Sequence, residues 1–351
     1  MRSMAMAKTQ LMLLPSCSQE LIQRVRNNGQ LEILKVPHLI VLSQAPAIRP
    51  QTGRVPLSAE CVRQVEQSLA LSCRYEDEAG GNAVCHQLRC AATALQLIKP
   101  ISDFLNLWMQ LDDENTPELA ARDIADLGKR IGPEPYLSYQ QHNCLTEGDV
   151  KRASLLMPSL NTALQPGNGS WMHPRLAIHR ALVFFCQGYT VPHRDLKQFL
   201  WAAGLDCLYA SKLDRKKQGS REIGRRMCTF LDANLKLYEA DIVAVPTHQD
   251  QRNRKMVQDV VSDIFKLRNA LAHGLSVPDA GWLSRQDQPV ESGYAYQLIE
   301  QTEIALRLTL IKLLENQPLF DIFSDASRLD AYFELGAAGI LAGIPCRALL
   351  E

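Results

Sequence analysis

Arg268, Asn269 and His273 stand close together at the end of the stretch Gln251 to Gly274, QRNRKMVQDVVSDIFKLRNALAHG. Their types suit work on a phosphate: arginine carries a permanent forked positive charge, and histidine titrates close to working pH. A helix must hold them. Val257, Val260, Val261, Ile264, Leu267 and Leu271 recur at i, i+3, i+4, i+7 spacing, the apolar stripe of an amphipathic helix. Gly274 follows the last periodic residue, where glycine takes the left-handed conformation that closes a helix. At about 100° per residue Asn269 and His273 are near neighbours on one face, while Arg268 lies roughly 140° around from His273. A site using both needs the helix end to protrude, or a second copy of the helix to complete it. The same residues also suit a plain C-terminal cap, because Arg and His interact well with the negative end of the helix dipole.

The chain that must position this end has 351 residues, 46% of them hydrophobic, which is enough to bury a substantial core in two domains or one large one. The formal net charge is +0, so any attraction to nucleic acid or to an acidic membrane must be local. Ten cysteines are scattered without a CxxC pair, and several, such as Cys186 and Cys207, fall inside apolar runs. They read as reduced, buried cysteines of a cytoplasmic protein. Cys85, His86 and Cys90 form the one close Cys/His cluster, with no convincing second cluster to pair with it, so a structural helix face outweighs zinc and no metal is expected. The apolar run near the N-terminus is broken by Lys8, Gln10 and Pro15 and does not read as a signal peptide. No apolar stretch is long enough to span a bilayer, and no membrane partner is expected.

Residues 1–145 read as a smaller mixed α/β region. Leu31 to Val36 and Leu39 to Leu42 are short apolar runs separated by Pro37 and His38 and predict strands. Gln44 to Pro56, with Pro46, Pro50, Gly53 and Pro56, predicts a loop. Val84, Leu88, Ala91, Leu95 and Ile98 predict a helix, and Phe104, Leu105, Leu107 and Trp108 a following one. Asp112-Asp113-Glu114 reads as a solvated turn.

A boundary is expected at Gly132-Pro133-Glu134-Pro135, after which Thr146, with Asp149 three residues on, predicts a helix start. Residues 146–325 then read as helical throughout. Helices are expected from Pro174, from about His193 to Leu213, from Ser220 to Leu237, over the Arg268 stretch, and from Glu291 to Asn316, together an all-α bundle. Residues 326–351 form an apolar tail, whose part Leu335 to Leu350 is too short and proline-broken to cross a membrane. The fold class expected is therefore α+β overall.

The Arg-Asn-three residues-His-Gly pattern resembles the signature of the HEPN superfamily, and KLRNALAHG looks most like its Apea-like branch. Three further segments resemble that branch in the right order, so that the likeness covers about half of the chain. They are Phe199 to Tyr209, the Arg221 to Leu231 stretch REIGRRMCTFL, and the leucine-rich Glu291 to Asn316. In the first, Asp206 stands where the family puts an acidic residue after a leucine, one methylene shorter than the glutamate expected there. An acid inside an apolar helix is costly unless paired, so Asp206 is either the partner of Arg268 or an exposed residue at the helix edge.

The resemblance implies a metal-independent endoribonuclease that needs no cofactor and works as a homodimer, with two motif helices facing each other across a cleft. The ribose 2′-OH would attack the adjacent phosphate, so the substrate is RNA. His273 would serve as general acid or base, Arg268 would stabilise charge on the phosphoryl oxygens, and Asn269 would orient His273 or the phosphate. The family's usual biology implies a defence or stress effector. The other reading is an HEPN-like dimerisation or RNA-binding module without catalysis. Some toxin-type members carry a tyrosine two residues after the motif histidine, where a partner modifies them; Leu275 stands here, so silencing of that kind is not expected. A basic run including Arg215, Lys216, Lys217, Arg225 and Arg226 is either an RNA-backbone contact or a solvated face.

Overall fold

The computed structural model describes residues 8–14, 17–28, 38–41, 69–75, 78–99, 108–112, 144–165, 176–210, 219–233, 250–274 and 292–334. The chain divides into two units, Met1–Gln165 and Pro166–Glu351.

In the first unit the described elements run β1 (Lys8–Leu14), α1 (Gln19–Asn28), β2 (His38–Val41), β3 (Leu69–Tyr75), α2 (Glu78–Ile98), β4 (Trp108–Asp112) and α3 (Glu147–Leu164). The strands pair antiparallel in the order β2-β3-β1-β4, with Leu14 opposite Leu69 and Met12 opposite both Leu71 and Trp108. Through β4 the described elements follow the βαββαβ order of the split βαβ, or ferredoxin-like, topology. Helix α2 packs on β1 and β3. Its Val84, Leu88, Ala91 and Leu95 are buried, as are Met12, Leu14, Leu71 and Cys73 of the strands.

The expected strand Leu39 to Leu42 is β2, shifted by one residue; Leu31 to Val36, Gln44 to Pro56, Asp113 and Glu114 lie outside the described residues. Two expectations are corrected. Trp108 opens a strand and not a helix, its backbone pairing with Met12, while Phe104, Leu105 and Leu107 lie outside the described residues. The domain boundary falls after Gln165 and not at 145. Helix α3 does begin at the Thr146 capping box, in which Thr146 and Asp149 each accept from the other's backbone N–H. It packs against α2, however, and Ser18 N–H donates to Leu145 O at 2.9 Å, so the segment entering α3 is stitched to the one leaving β1.

The second unit is helical throughout its described residues: α4 (Leu176–Thr190), α5 (Arg194–Tyr209), α6 (Gly219–Ala233), α7 (Asp250–Ala272), α8 (Ser292–Glu315), α9 (Gln317–Phe323) and α10 (Ala326–Glu334). Helix α5 is the hub, packed on α4, α6, α7 and α8. A glycine makes the closest of these approaches possible, since a Cβ on Gly188 of α4 would run into the Trp201 indole of α5. That indole N–H donates instead to Phe185 O at 3.1 Å. The bundle does not stop at residue 325. Leu329, Asp330 and Phe333 of α10 are buried, and i,i+4 spacing brings Leu329 and Phe333 to one inward face. The apolar segment Leu335 to Leu350 lies outside the described residues. No described helix is long and apolar enough to cross a membrane.

Candidate functional site

Helix α7 carries the motif, and its inward stripe is Val261, Ile264, Phe265 and Leu267, all buried. These residues seat it against α5, α6 and α8. The buried Gln198 of α5 donates to Ile264 O at 3.5 Å, a weak polar stitch between the two helices. The last turn closes tightly. His273 N–H reaches Asn269 O at 3.1 Å, Gly274 N–H reaches Leu271 O at 3.1 Å, and Gly274 adopts φ 83°, which glycine accepts without strain.

Arg268 turns toward α5. Its Nη2 is ion-paired with Asp206 Oδ2, and its Nη1 donates to Asn269 Oδ1 at 2.8 Å. The side chains of Arg268 and Asp206 are 26% and 18% exposed, so the pair is partly withdrawn from water yet open on one side. Burial pulls the Arg268 pKa below its ordinary value, but a guanidinium starts so high that it stays charged. Asp206 Oδ1 is buried without a hydrogen-bond partner. His273, by contrast, is exposed. The helix therefore separates its motif residues as the angular spacing requires: Arg268 and Asn269 are joined to each other and to Asp206, and His273 stands apart in solvent.

The basic run divides differently. Arg215, Lys216 and Lys217 lie outside the described residues. Arg225 is half exposed and forms a forked pair with Glu222, at 2.9 Å from Nε and 2.5 Å from Nη2. Arg226 corrects the expectation of a solvent-facing phosphate contact, because it is 2% exposed. Its Nη2 donates to Asp330 at 2.9 Å, its Nε to Glu222 at 3.2 Å and its Nη1 to Tyr209 O at 3.3 Å, and it sits 5.5 Å from the Phe333 ring centroid. The helical period carried the signal: Arg226 falls three after the buried Ile223 and four before the buried Phe230, on one face of α6. Asp330 and Tyr209 went unnoticed as its partners, since neither is near it in sequence.

In the first unit the Cys/His cluster is a packed helix face. Cys85 Sγ donates to Gln10 Oε1 at 3.3 Å, and Cys90 Sγ lies 3.7 Å from His86 Nε2. Burial pushes the Cys90 thiol up to about 12 and the Cys73 thiol up to about 11, and lowers the His86 pKa. The Cys90 and His86 shifts oppose a thiolate–imidazolium pair. Among the described residues no group of His, Cys, Asp or Glu is arranged to hold a metal ion. Cys73 and Cys90 are buried, Cys186 and Cys207 are half-buried, and Cys144 is exposed.

Comparison with protein-family models, with curated proteins and with solved structures returns no match for the chain.

Proposed function

We propose that the end of α7 is the reacting end of a metal-independent endoribonuclease of the HEPN type, acting as a homodimer on RNA. The observation that carries this reading is the division of labour at the end of one helix. Arg268 is fixed by Asp206 and Asn269 while His273 stands exposed beyond it. A fixed cation and an exposed imidazole, brought to one phosphate, suit transfer there. Arg268 stabilises the charge that grows on the non-bridging oxygens, and His273 moves the proton. The 2′-OH attacks phosphorus, the P–O5′ bond breaks, and the products carry a 2′,3′-cyclic phosphate and a 5′-hydroxyl. A second copy of α7 brings the two groups together on one phosphate, which a single helix keeps on different faces.

The second reading, a dimerisation or RNA-binding module without catalysis, draws on the same ion pair. A guanidinium already held by Asp206 and Asn269 has fewer donors left for a phosphate. The deciding experiment is cleavage of a mixed RNA pool by the purified protein in the presence of chelator, beside Arg268→Ala and His273→Ala. Cyclic-phosphate ends that vanish in both variants support the nuclease. A folded, dimeric, RNA-binding protein that leaves the pool intact supports the module. Cleavage that survives both substitutions removes the α7 end from the reaction.

A further inference from the structure

We infer that α10, the last described helix, sets the Asp206–Arg268 pair through Arg226, which makes Arg226 and Asp330 positioning residues for the motif end. Asp206 lies in the last turn of α5, where the carbonyls of a helix run out of intrahelical partners. Ala210 N–H takes the Asp206 carbonyl at 2.9 Å, and the Tyr209 carbonyl accepts from the Arg226 guanidinium at 3.3 Å. Arg226 thus acts as a charged cap on the negative end of α5. The cap is held from the far side by Asp330 of α10 at 2.9 Å and by the Phe333 ring, with only 3% of the Arg226 side chain exposed.

Tyr209 ties the same turn down by its side chain. Its hydroxyl lies 3.0 Å from Thr309 Oγ1 of α8, and its ring meets Phe230, Phe323 and Phe333 edge-on or tilted. The contacts run from Asp330 to Arg226 and on to the Tyr209 carbonyl, and from there the α5 backbone leads one turn back to Asp206, the partner of Arg268. Asp206 has one buried oxygen with no partner, so it is held mainly by its place on the α5 turn and by Arg268. Loosening that turn releases Arg268. The link itself requires no RNA; its consequence for cleavage rests on the nuclease reading.

The experiment is residue-resolved modification of the full-length protein by phenylglyoxal, a dicarbonyl that attacks free guanidinium groups, read by mass spectrometry. The exposed Arg152 of α3 serves as internal reference. Asp206→Asn and Asp330→Asn are each expected to raise the Arg268 rate about five-fold relative to Arg152, and the double variant no further than either alone, the non-additivity of coupled sites. If Asp330→Asn does not fold, the apolar replacement Arg226→Met/Asp330→Leu keeps the packing while removing the cap, and the same rise is expected. An Arg268 rate equal to the parent's in a folded variant overturns the link, as do two increments that multiply. Arg307 of α8, ion-paired with Glu303 and 14% exposed, accelerating as much as Arg268 also overturns it, since that marks general loosening of the bundle. A parent that cleaves no RNA sinks the nuclease and leaves this link standing, because the modification is read without substrate.

Discussion

Two arginines of the helical unit each face an aspartate, and they differ in what else surrounds them. Arg226 is closed in by Asp330, Glu222, the Tyr209 carbonyl and the Phe333 ring. Arg268 meets Asp206 and the neighbouring Asn269, and a quarter of its side chain remains in solvent. A buried cation with each of its guanidinium nitrogens engaged has little capacity left for a ligand. A partly open one held on one side keeps both its orientation and a free edge. Both residue types are equally suggestive in a sequence; burial separates the structural arginine from the one available for chemistry.

The largest effect expected is on the closed pair. Arg226→Ala leaves Asp330 buried without its cation and should cost about 3–5 kcal/mol, measured by urea denaturation. A loss below about 1 kcal/mol would erase the contrast between the two sites. At the open pair, the proposed nuclease reading expects Arg268→Ala to reduce cleavage by roughly 10²–10³-fold, the usual cost of removing one group that stabilises transition-state charge. Its loss of stability should be smaller than that of Arg226→Ala, and equal losses in the two melts would show that Arg268 is no less structural.

A smaller, pH-dependent effect follows from Glu222. The Arg225 hydrogen bond first, and Arg226 after it, hold the Glu222 carboxyl below the usual glutamate range. A lowered folded value means that the stabilisation is present above the unfolded pKa of about 4.3 and is lost as pH falls through the folded value. Glu222→Gln should therefore be less stable than the parent at pH 7 by under about 1 kcal/mol, because Arg225 is half exposed, and the two should converge in acid. A gap that widens on acidification would reverse the sign of this argument. The smallest effect is expected at the exposed His273, where substitution by Ala should leave the denaturation midpoint within about 0.5 kcal/mol of the parent.

How much of this was legible in the sequence depended on whether the deciding contact was local. The α7 stripe, its Gly274 stop and the angular separation of Arg268 from His273 are properties of one helix, and periodicity alone placed them. The Thr146 capping box was readable for the same reason. Strands β1 and β3 were missed, because Lys8 to Leu14 and Leu69 to Tyr75 become strands by pairing with each other across the whole first unit. The boundary was set too early because α3 looks like the start of a helical run, while its packing on α2 is invisible locally. Of the candidate site, the Asp206 partnership rested on the cost of burying an acid and the resemblance at that helix. The fate of Arg226 turned on Asp330, more than a hundred positions away.

The stitch between Ser18 and Leu145 also has a consequence for synthesis. Segments from the two ends of the first unit lie side by side, so a nascent chain cannot complete that unit until α3 has left the ribosome. At roughly 5–20 residues per second this is on the order of ten seconds or more, during which the face of α2 that α3 covers stays open to other company. The helical unit, made next, emerges behind a neighbour that has only just closed.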